Sequence, residues 1–192
     1  MTQARAPRAD AVRNRKKILT AAGEQITAHG PDVGVDEIAA AAGVAVGTLY
    51  RHFPTKTDLI AAVVTEYVAR VADDAEDALA RVADGTGRAL DELTGFLGRV
   101  VEQSVTDRAV KAAAQTLGAE TGNHVDEDRA GSAVAGLIRA GQADGDIHAD
   151  VTVNDIYLLF STAPTDQPAA ARARWLALVT PGLTAQARQS ES

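Results

Sequence analysis

The stretch VDEIAAAAGVAVGTLYRHFPTK, residues 35–56, decides the fold. It predicts two short helices, residues 35–42 and 46–53, because the apolar residues of each fall on one side at helical spacing. In the second helix these are Leu49 and Phe53, four residues apart. Gly43 stands between the helices, where a chain that reverses within three residues favours a positive φ angle. The stretch is therefore predicted to form two crossed helices joined by a tight turn.

The opposite side of the second helix is polar. Thr48, Arg51 and His52 lie there together, flanked by Val46 and Tyr50. A guanidinium group donates two parallel hydrogen bonds to guanine O6 and N7, and hydroxyl or imidazole groups donate to phosphate oxygens. Two crossed helices, the second with such a side, indicate a helix-turn-helix that binds DNA in the major groove.

Two further features extend this predicted interface. Gly47 leaves room for the start of the helix to approach base edges. Lys56 stands in the first turn of the next helix, where free N–H groups and the helix dipole favour a phosphate. The predicted DNA-binding residues are Val46, Gly47, Thr48, Tyr50, Arg51, His52 and Lys56.

The segment AGVAVGTLYRHFPTK resembles the signature of the TetR family of bacterial repressors, AGV-small-x-GTLY-x-HF-x-x-K. In that family the Thr, Tyr, His and Lys of the motif contact the operator backbone, and the residue between Tyr and His often touches bases. By position, the resemblance implies these roles for Thr48, Tyr50, His52, Lys56 and Arg51. It covers about residues 13–63, and the remainder matches only the general plan of a long connecting helix, a variable helical body and two dimerising C-terminal helices.

The motif departs from the family pattern at two caps. Ala45 stands where the family often has a capping Ser, and Gly34 where a Thr often caps the preceding helix and touches phosphate. Each change weakens a cap by roughly a few tenths to 1 kcal/mol. An Ala-rich hairpin without DNA contacts is the plain alternative, and the joint placement of Gly43, Gly47 and the polar residues argues against it.

Charge is distributed unevenly along the chain. The net charge is −7, but residues 1–56 carry eight Lys and Arg against five acidic residues, a net charge of +3. Residues 57–192 carry 11 basic against 21 acidic residues, a net charge of −10. A basic head on an acidic body suits a protein that meets phosphates with one end.

The rest of the chain also has helical periodicity, and the predicted fold class is all-α. We expect a three-helix helix-turn-helix domain over residues 10–55 and an effector-binding and dimerisation domain over residues 56–187. Thr55 and Asp58 are spaced as in a capping box. The other predicted helices cover about residues 10–29, 55–84, 88–105, 107–118, 129–143, 153–162 and 168–187, with a loop at 120–128.

Two further sites are expected in the body. An apolar stripe on the last helix could be buried inside its own domain, but a large aromatic residue near an apolar terminal helix equally suits a two-fold interface, which we predict. Residues of about 57–165 include few large side chains and some polar groups at potentially inward positions, which predicts a small-molecule pocket, with ordinary core packing as the alternative for each aromatic residue. The predicted dimer residues are Trp175, Leu178, Val179 and Leu183. The predicted effector residues are Tyr67, Phe96, Gln103, Gln115 and Tyr157, with Arg99 also at a potentially inward position.

Other function classes lack their motifs. The chain has no cysteine, no HExxH, no phosphate-binding glycine loop and no GxSxG elbow, so neither an enzyme nor a cofactor is expected. Acidic residues near His124 and His148 are read as solvated loops, although such groups are suitable metal ligands. Without a signal or membrane segment the protein is expected in the cytoplasm.

These expectations describe a homodimeric, ligand-responsive repressor that binds a palindromic operator and is released by a small-molecule effector. Repression is the family default, and the sequence does not separate it from activation. Two alternatives stay open: a DNA-binding protein of the same type without an effector, and a metal- or small-molecule-binding module whose head has lost its DNA affinity.

Overall fold

The computed structural model of the chain describes residues 6–119 and 124–185. Over these ranges it contains eight α-helices and one 3-10 helix, and its only β-type pairing is an isolated bridge between Ile147 and Thr184. The predicted all-α class is confirmed. The helices are α1 (Ala6–His29), α2 (Val35–Ala42), α3 (Val46–His52), α4 (Lys56–Ala83), α5 (Ala89–Thr116), α6 (His124–Ala143), α7 (Val153–Thr162), α8 (Ala169–Val179) and the 3-10 helix η1 (Thr180–Leu183).

Three predicted helix boundaries are wrong. The break near residue 106 does not exist, because α5 buries apolar side chains on both sides of it and packing outweighs weak local propensity. The loop expected at 120–128 gives way to α6 from His124, whose first turn holds Asp126 and Glu127, at the positive end of the helix dipole. The last helix ends at Val179, since Pro181 lacks an N–H and its ring clashes with the preceding turn.

The chain divides into two units, and the first comprises Met1–Tyr67 and Thr106–Gly122. Its core contains apolar residues of α1 to α4 together with the C-terminal part of α5. The division therefore falls inside α4 and does not coincide with the expected boundary at 55/56. The largest fully buried side chains here are Ile18, Ile26, Ile38, Leu49, Leu59 and Ile60, and α5 adds Val110, Ala113 and Ala114.

The second unit comprises Val68–Val105 and Asn123–Ser192. Its core is built around Phe96, with Leu93, Leu97, Leu137 and Ile156 fully buried. The side chain of Gln142 holds the loop between α6 and α7. Its amide nitrogen donates to the carbonyls of residues 148, 149 and 151 at 3.1–3.2 Å. This loop pairs with the end of η1, since the His148 N–H donates to the Leu183 carbonyl at 2.9 Å.

Candidate nucleic-acid interface

The turn between α2 and α3 has the geometry that its sequence predicts. Gly43 adopts φ 65° and ψ 36°, the left-handed conformation that glycine reaches without strain. Its N–H donates to the Ala40 carbonyl, and the Val44 N–H donates to the Ala39 carbonyl, both at 3.0 Å. These two bonds form a Schellman motif, which satisfies carbonyls at the end of α2 and directs the chain into α3.

Helix α3 separates an apolar from a polar side. Leu49 and, just after the helix, Phe53 are buried in the head core. Val46, Gly47, Tyr50 and Arg51 are exposed, and Thr48 and His52 are half-buried. The structure therefore brings the six predicted α3 residues together on the surface of one short helix, where they are accessible to a DNA duplex.

Neither helix of the motif has a side-chain N-cap. Gly34 precedes α2 and Ala45 precedes α3, both with extended backbone and without a capping hydrogen bond from their own side chains. The two departures from the family pattern thus remove side-chain caps, and α2 and α3 nevertheless form.

Lys56 has a partner inside the head. Its Nζ donates to the Val33 carbonyl oxygen at 2.7 Å, which ties the start of α4 to the segment before α2. An ammonium group has three N–H donors, so this bond leaves donors for a phosphate. The predicted capping box is confirmed: the Thr55 N–H donates to Asp58 Oδ2 and the Asp58 N–H donates to Thr55 Oγ1, each at 3.0 Å.

The contact between Arg15 and Phe53 was not predicted from the sequence. The Arg15 guanidinium carbon lies 4.8 Å from the centre of the Phe53 ring, a cation–π distance. The ring of His52 lies 6.2 Å from the same ring. The basic run in front of Ile18 was the available signal, although its spacing alone does not reveal a contact with a residue 38 positions later.

The predicted effector residues do not all share one unit. Tyr67 and Gln115 belong to the first unit, where Lys111 Nζ lies 5.7 Å from the centre of the Tyr67 ring. Phe96 belongs to the second unit and packs edge-to-face on Phe160, with ring centres 6.0 Å apart. Tyr157 of the same unit is exposed on α7.

The inward placement of two polar side chains of α5 is wrong. Gln103 and Gln115 are exposed, because an amide without a buried partner is cheaper to keep in water. Arg99, by contrast, is half-buried with its Nη2 atom inside the protein, and its Nε donates to both carboxylate oxygens of Asp74, at 3.0 and 2.9 Å.

The predicted dimer stripe is divided by the end of α8. No residue of α8 is buried in the chain, and Leu178 is 61% exposed. Trp175 and Val179 are half-exposed. Leu183 instead lies in the core of the second unit, because the 3-10 turn that follows Val179 directs its side chain inward. The prediction that Leu183 belongs to the dimer stripe is therefore wrong.

The two histidines with acidic neighbours each pair with one carboxylate in the described part of the chain. His124 pairs with Glu127 at 3.5 Å and His148 with Asp150 at 2.5 Å, and no group of three ligating side chains occurs among those residues. Of the helices that the structure describes, none has the length and apolar character needed to cross a bilayer.

Comparison with known proteins agrees with this geometry. Residues 18–63 match the family described as bacterial regulatory proteins, tetR family, and residues 88–185 match the C-terminal domain of SbtR-like transcriptional regulators. The TetR transcription regulatory protein of Mycobacterium vanbaalenii is 33% identical, with a TM-score of 0.75 over 92% of this chain and 98% of that one. The regulator SCO0520 of Streptomyces coelicolor is 30% identical, with a TM-score of 0.72 over 88% and 98%.

A shorter match adds to these. The HTH-type transcriptional regulator SAR0097 of Staphylococcus aureus (strain MRSA252) is 40% identical over 79 residues, which span 40% of this chain and 41% of that relative. The chain belongs to the TetR family of transcriptional regulators. It is accordingly a DNA-binding regulator with an N-terminal helix-turn-helix and a helical C-terminal domain.

Proposed function

We propose that this regulator is a repressor that binds a palindromic operator as a homodimer and leaves it when a small molecule binds its second unit. The observation that carries the proposal is the exposed polar side of α3 above a buried apolar side. Leu49 and Phe53 hold the helix in the head, and the six predicted residues lie on its surface. A regulator of this kind acts in the bacterial cytoplasm, where the chromosome lies.

Within this interface we assign base reading to Arg51, which is exposed in the last turn of α3. Thr48, Tyr50 and His52 are assigned to phosphates, which fix the register of the helix without reading sequence. Arg51→Ala should cost roughly 1–3 kcal/mol of binding free energy and relax the preference at one base position. Unchanged affinity and preference in that variant would contradict the assignment.

Dimerisation is supported by α8. An 11-residue helix with no buried residue leaves apolar surface at Trp175, Leu178 and Val179 that a second copy would cover. A two-fold dimer presents two copies of α3, and successive major grooves on one face of a duplex are roughly 34–36 Å apart. The operator of such a dimer is palindromic because its two half-sites face identical heads.

The effector is proposed to enter the second unit beside Phe96. This side chain is 1% exposed and contacts Phe160 edge-to-face, so a ligand there would displace an aromatic pair at the centre of the core. Exposed Tyr157 and Gln103 are the other members of the predicted set in that unit. Phe96→Ala and Tyr67→Ala should change effector affinity, and unchanged affinity in both variants would contradict the assignment.

We assign to α4 the transmission of effector binding in the second unit to the DNA-binding helices of the first. This helix of 28 residues supplies Leu59, Ile60, Val63 and Val64 to the first core and Ala75 and Ala78 to the second. A helix is stiff along its axis, and packed cores favour discrete arrangements. By linkage, operator DNA must lower effector affinity by the same factor by which the effector lowers operator affinity. Calorimetric titration of the effector with and without operator measures this factor, and equal effector affinity in both titrations would contradict the proposed transmission.

The deciding experiment is selection of bound duplexes from a random pool by purified protein at near-physiological salt. Recovery of a palindrome supports sequence-specific binding by a homodimer. It also identifies operators whose neighbouring genes indicate the effector. Recovery of no preferred sequence contradicts the proposal. Sequence-specific binding that no candidate effector weakens favours the alternative function, a constitutive DNA-binding protein.

A further inference from the structure

The head carries a second basic surface outside α3, a groove between α1 and the end of α2 with a volume of about 520 Å³. Arg13, Lys16 and Lys17 contribute its cationic side, and Ala41 and Ala42 line it from α2. We call this surface the α1 groove. Its one acidic lining residue is Glu24, about two helical turns further along α1.

The cations of the α1 groove share one face of a helix. Residues three and four positions apart are neighbours on a helix surface, so Arg13 lies beside both lysines. Arg13 already pairs with Asp10, and the side chains of Lys16 and Lys17 are exposed. The small side chains of Ala41 and Ala42 leave the space between the two helices open. The groove is therefore a concave cationic surface that an extended anion can enter.

The α1 groove also lies close to α3, the helix that we propose to enter the major groove. Ala42 ends α2 and Val46 begins α3, and four residues span at most about 15 Å. Arg15, in the same turn of α1, contacts Phe53 at the other end of α3. The major groove of B-DNA is about 12 Å wide, so its bordering phosphates lie within that range of a helix inserted in it.

We propose that the α1 groove binds phosphates of the DNA strand that borders the major groove occupied by α3. The inference rests on the proposed DNA-binding function and adds a contact surface from α1, separate from the α3 motif. The charge of the groove complements a phosphate chain, and its cations act without base readout. Lys16 and Lys17 then increase the affinity for all sequences and leave the base preference to α3.

The test compares Lys16→Gln/Lys17→Gln with the matched control Arg70→Gln/Arg139→Gln, which removes two exposed cations from the second unit. Operator affinity is measured between 50 and 200 mM salt on the duplex that wild-type protein selects. Each lysine–phosphate contact contributes about 0.9 to the slope of log K against log salt. Loss of two contacts should lower the slope by about 1.8, so the advantage of wild type shrinks about 12-fold over that range.

A second measurement locates the contact. Single phosphates of the operator are replaced by neutral methylphosphonates, and wild type should lose affinity at positions where the double lysine variant loses none. The selected sequence should be the same for both proteins. An unchanged slope, an equal drop in the control, or identical methylphosphonate profiles would each overturn the inference while the proposed function stands. Selection of no palindrome by wild type would overturn both.

Discussion

Lys56 Nζ lies 2.7 Å from the carbonyl oxygen of Val33, so a residue that we propose to contact DNA also holds the N-terminal helices together. The bond joins the first residue of α4 to the segment that precedes α2. It accounts for a lysine at a helix N-terminus, where the dipole disfavours a cation. The same side chain therefore serves packing, and in our proposal it also meets a phosphate.

Lys56→Met should reveal the two roles in two measurements. Loss of the hydrogen bond should lower the free energy of unfolding by about 1 kcal/mol, measured by urea denaturation. Loss of a phosphate contact should reduce the salt slope of operator binding by about 1 for every sequence alike. A variant that is destabilised but keeps the wild-type slope would show that Lys56 acts only inside the head.

Gly47 has no structural reason to be glycine. It lies in the first turn of α3 with negative φ, and a Cβ placed there meets no atom within 4 Å. Gly47→Ala should therefore leave the head as stable as wild type or raise its stability by about 0.5–1 kcal/mol. Operator affinity should nevertheless fall, because the added methyl group occupies the space that we assign to a base edge. Wild-type affinity would contradict that close approach.

A control for Gly47 is available at Gly141, on α6. There a Cβ would lie 2.5 Å from Ile147, so Gly141→Ala should reduce thermal stability. The two variants carry the same substitution and should have opposite profiles: one folds normally and binds poorly, and the other loses stability. This contrast separates an interface glycine from a packing glycine.

The head could be predicted from the sequence because its signals are local. Gly43, Leu49 and Phe53 lie within eleven residues, and each determines a backbone angle or a buried position next to it. The bounds of α2 agree with the prediction for the same reason. The contact between Lys56 and Val33 joins residues 23 positions apart, and no local spacing encodes it.

The second unit was harder to predict because the burial of its residues depends on packing between segments distant in the sequence. Phe96 and Gln103 both lie on α5, yet one is buried and the other exposed. Apolar content alone also failed to separate Leu178 from Leu183, which differ because Pro181 ends the helix between them. Where neighbours from distant segments decide burial, an amphipathic stripe predicts a surface but not what covers it.

Acid should destabilise the second unit through paired carboxylates. Arg81 donates from Nε and Nη2 to Glu92 Oε2 at 2.9 and 2.7 Å, and these hydrogen bonds lower the pKa of Glu92 below its ordinary 4.5. Because the folded-state pKa is the lower one, the pair contributes stability above pH 4.5 and loses it as the pH falls through the folded-state pKa. The urea midpoint should therefore fall with pH below 4.5, less steeply in Glu92→Gln.

The control for the acid effect is Glu24→Gln, which neutralises an exposed carboxylate within α1 that forms no salt bridge with any described residue. Its urea midpoint should follow the wild-type dependence on pH. Equal flattening in both variants would mean that overall charge, and not the Arg81–Glu92 pair, causes the acid sensitivity. A wild-type curve for Glu92→Gln would remove the pair from the explanation altogether.

Leu178 should decide dimerisation without deciding folding. It is 61% exposed on α8, so Leu178→Glu removes no core contact and should leave thermal stability unchanged at concentrations where the chain is monomeric. In a dimer the same change would bury an unpaired charge, and sedimentation should show a shift to monomer.

Val125→Glu, at a 70% exposed apolar residue of α6, is the matched control and should remain dimeric. A monomeric variant should bind a full operator no more tightly than an isolated half-site, because the second head no longer adds its contacts. If Leu178→Glu sediments as a dimer and still favours the full palindrome, α8 is not the interface.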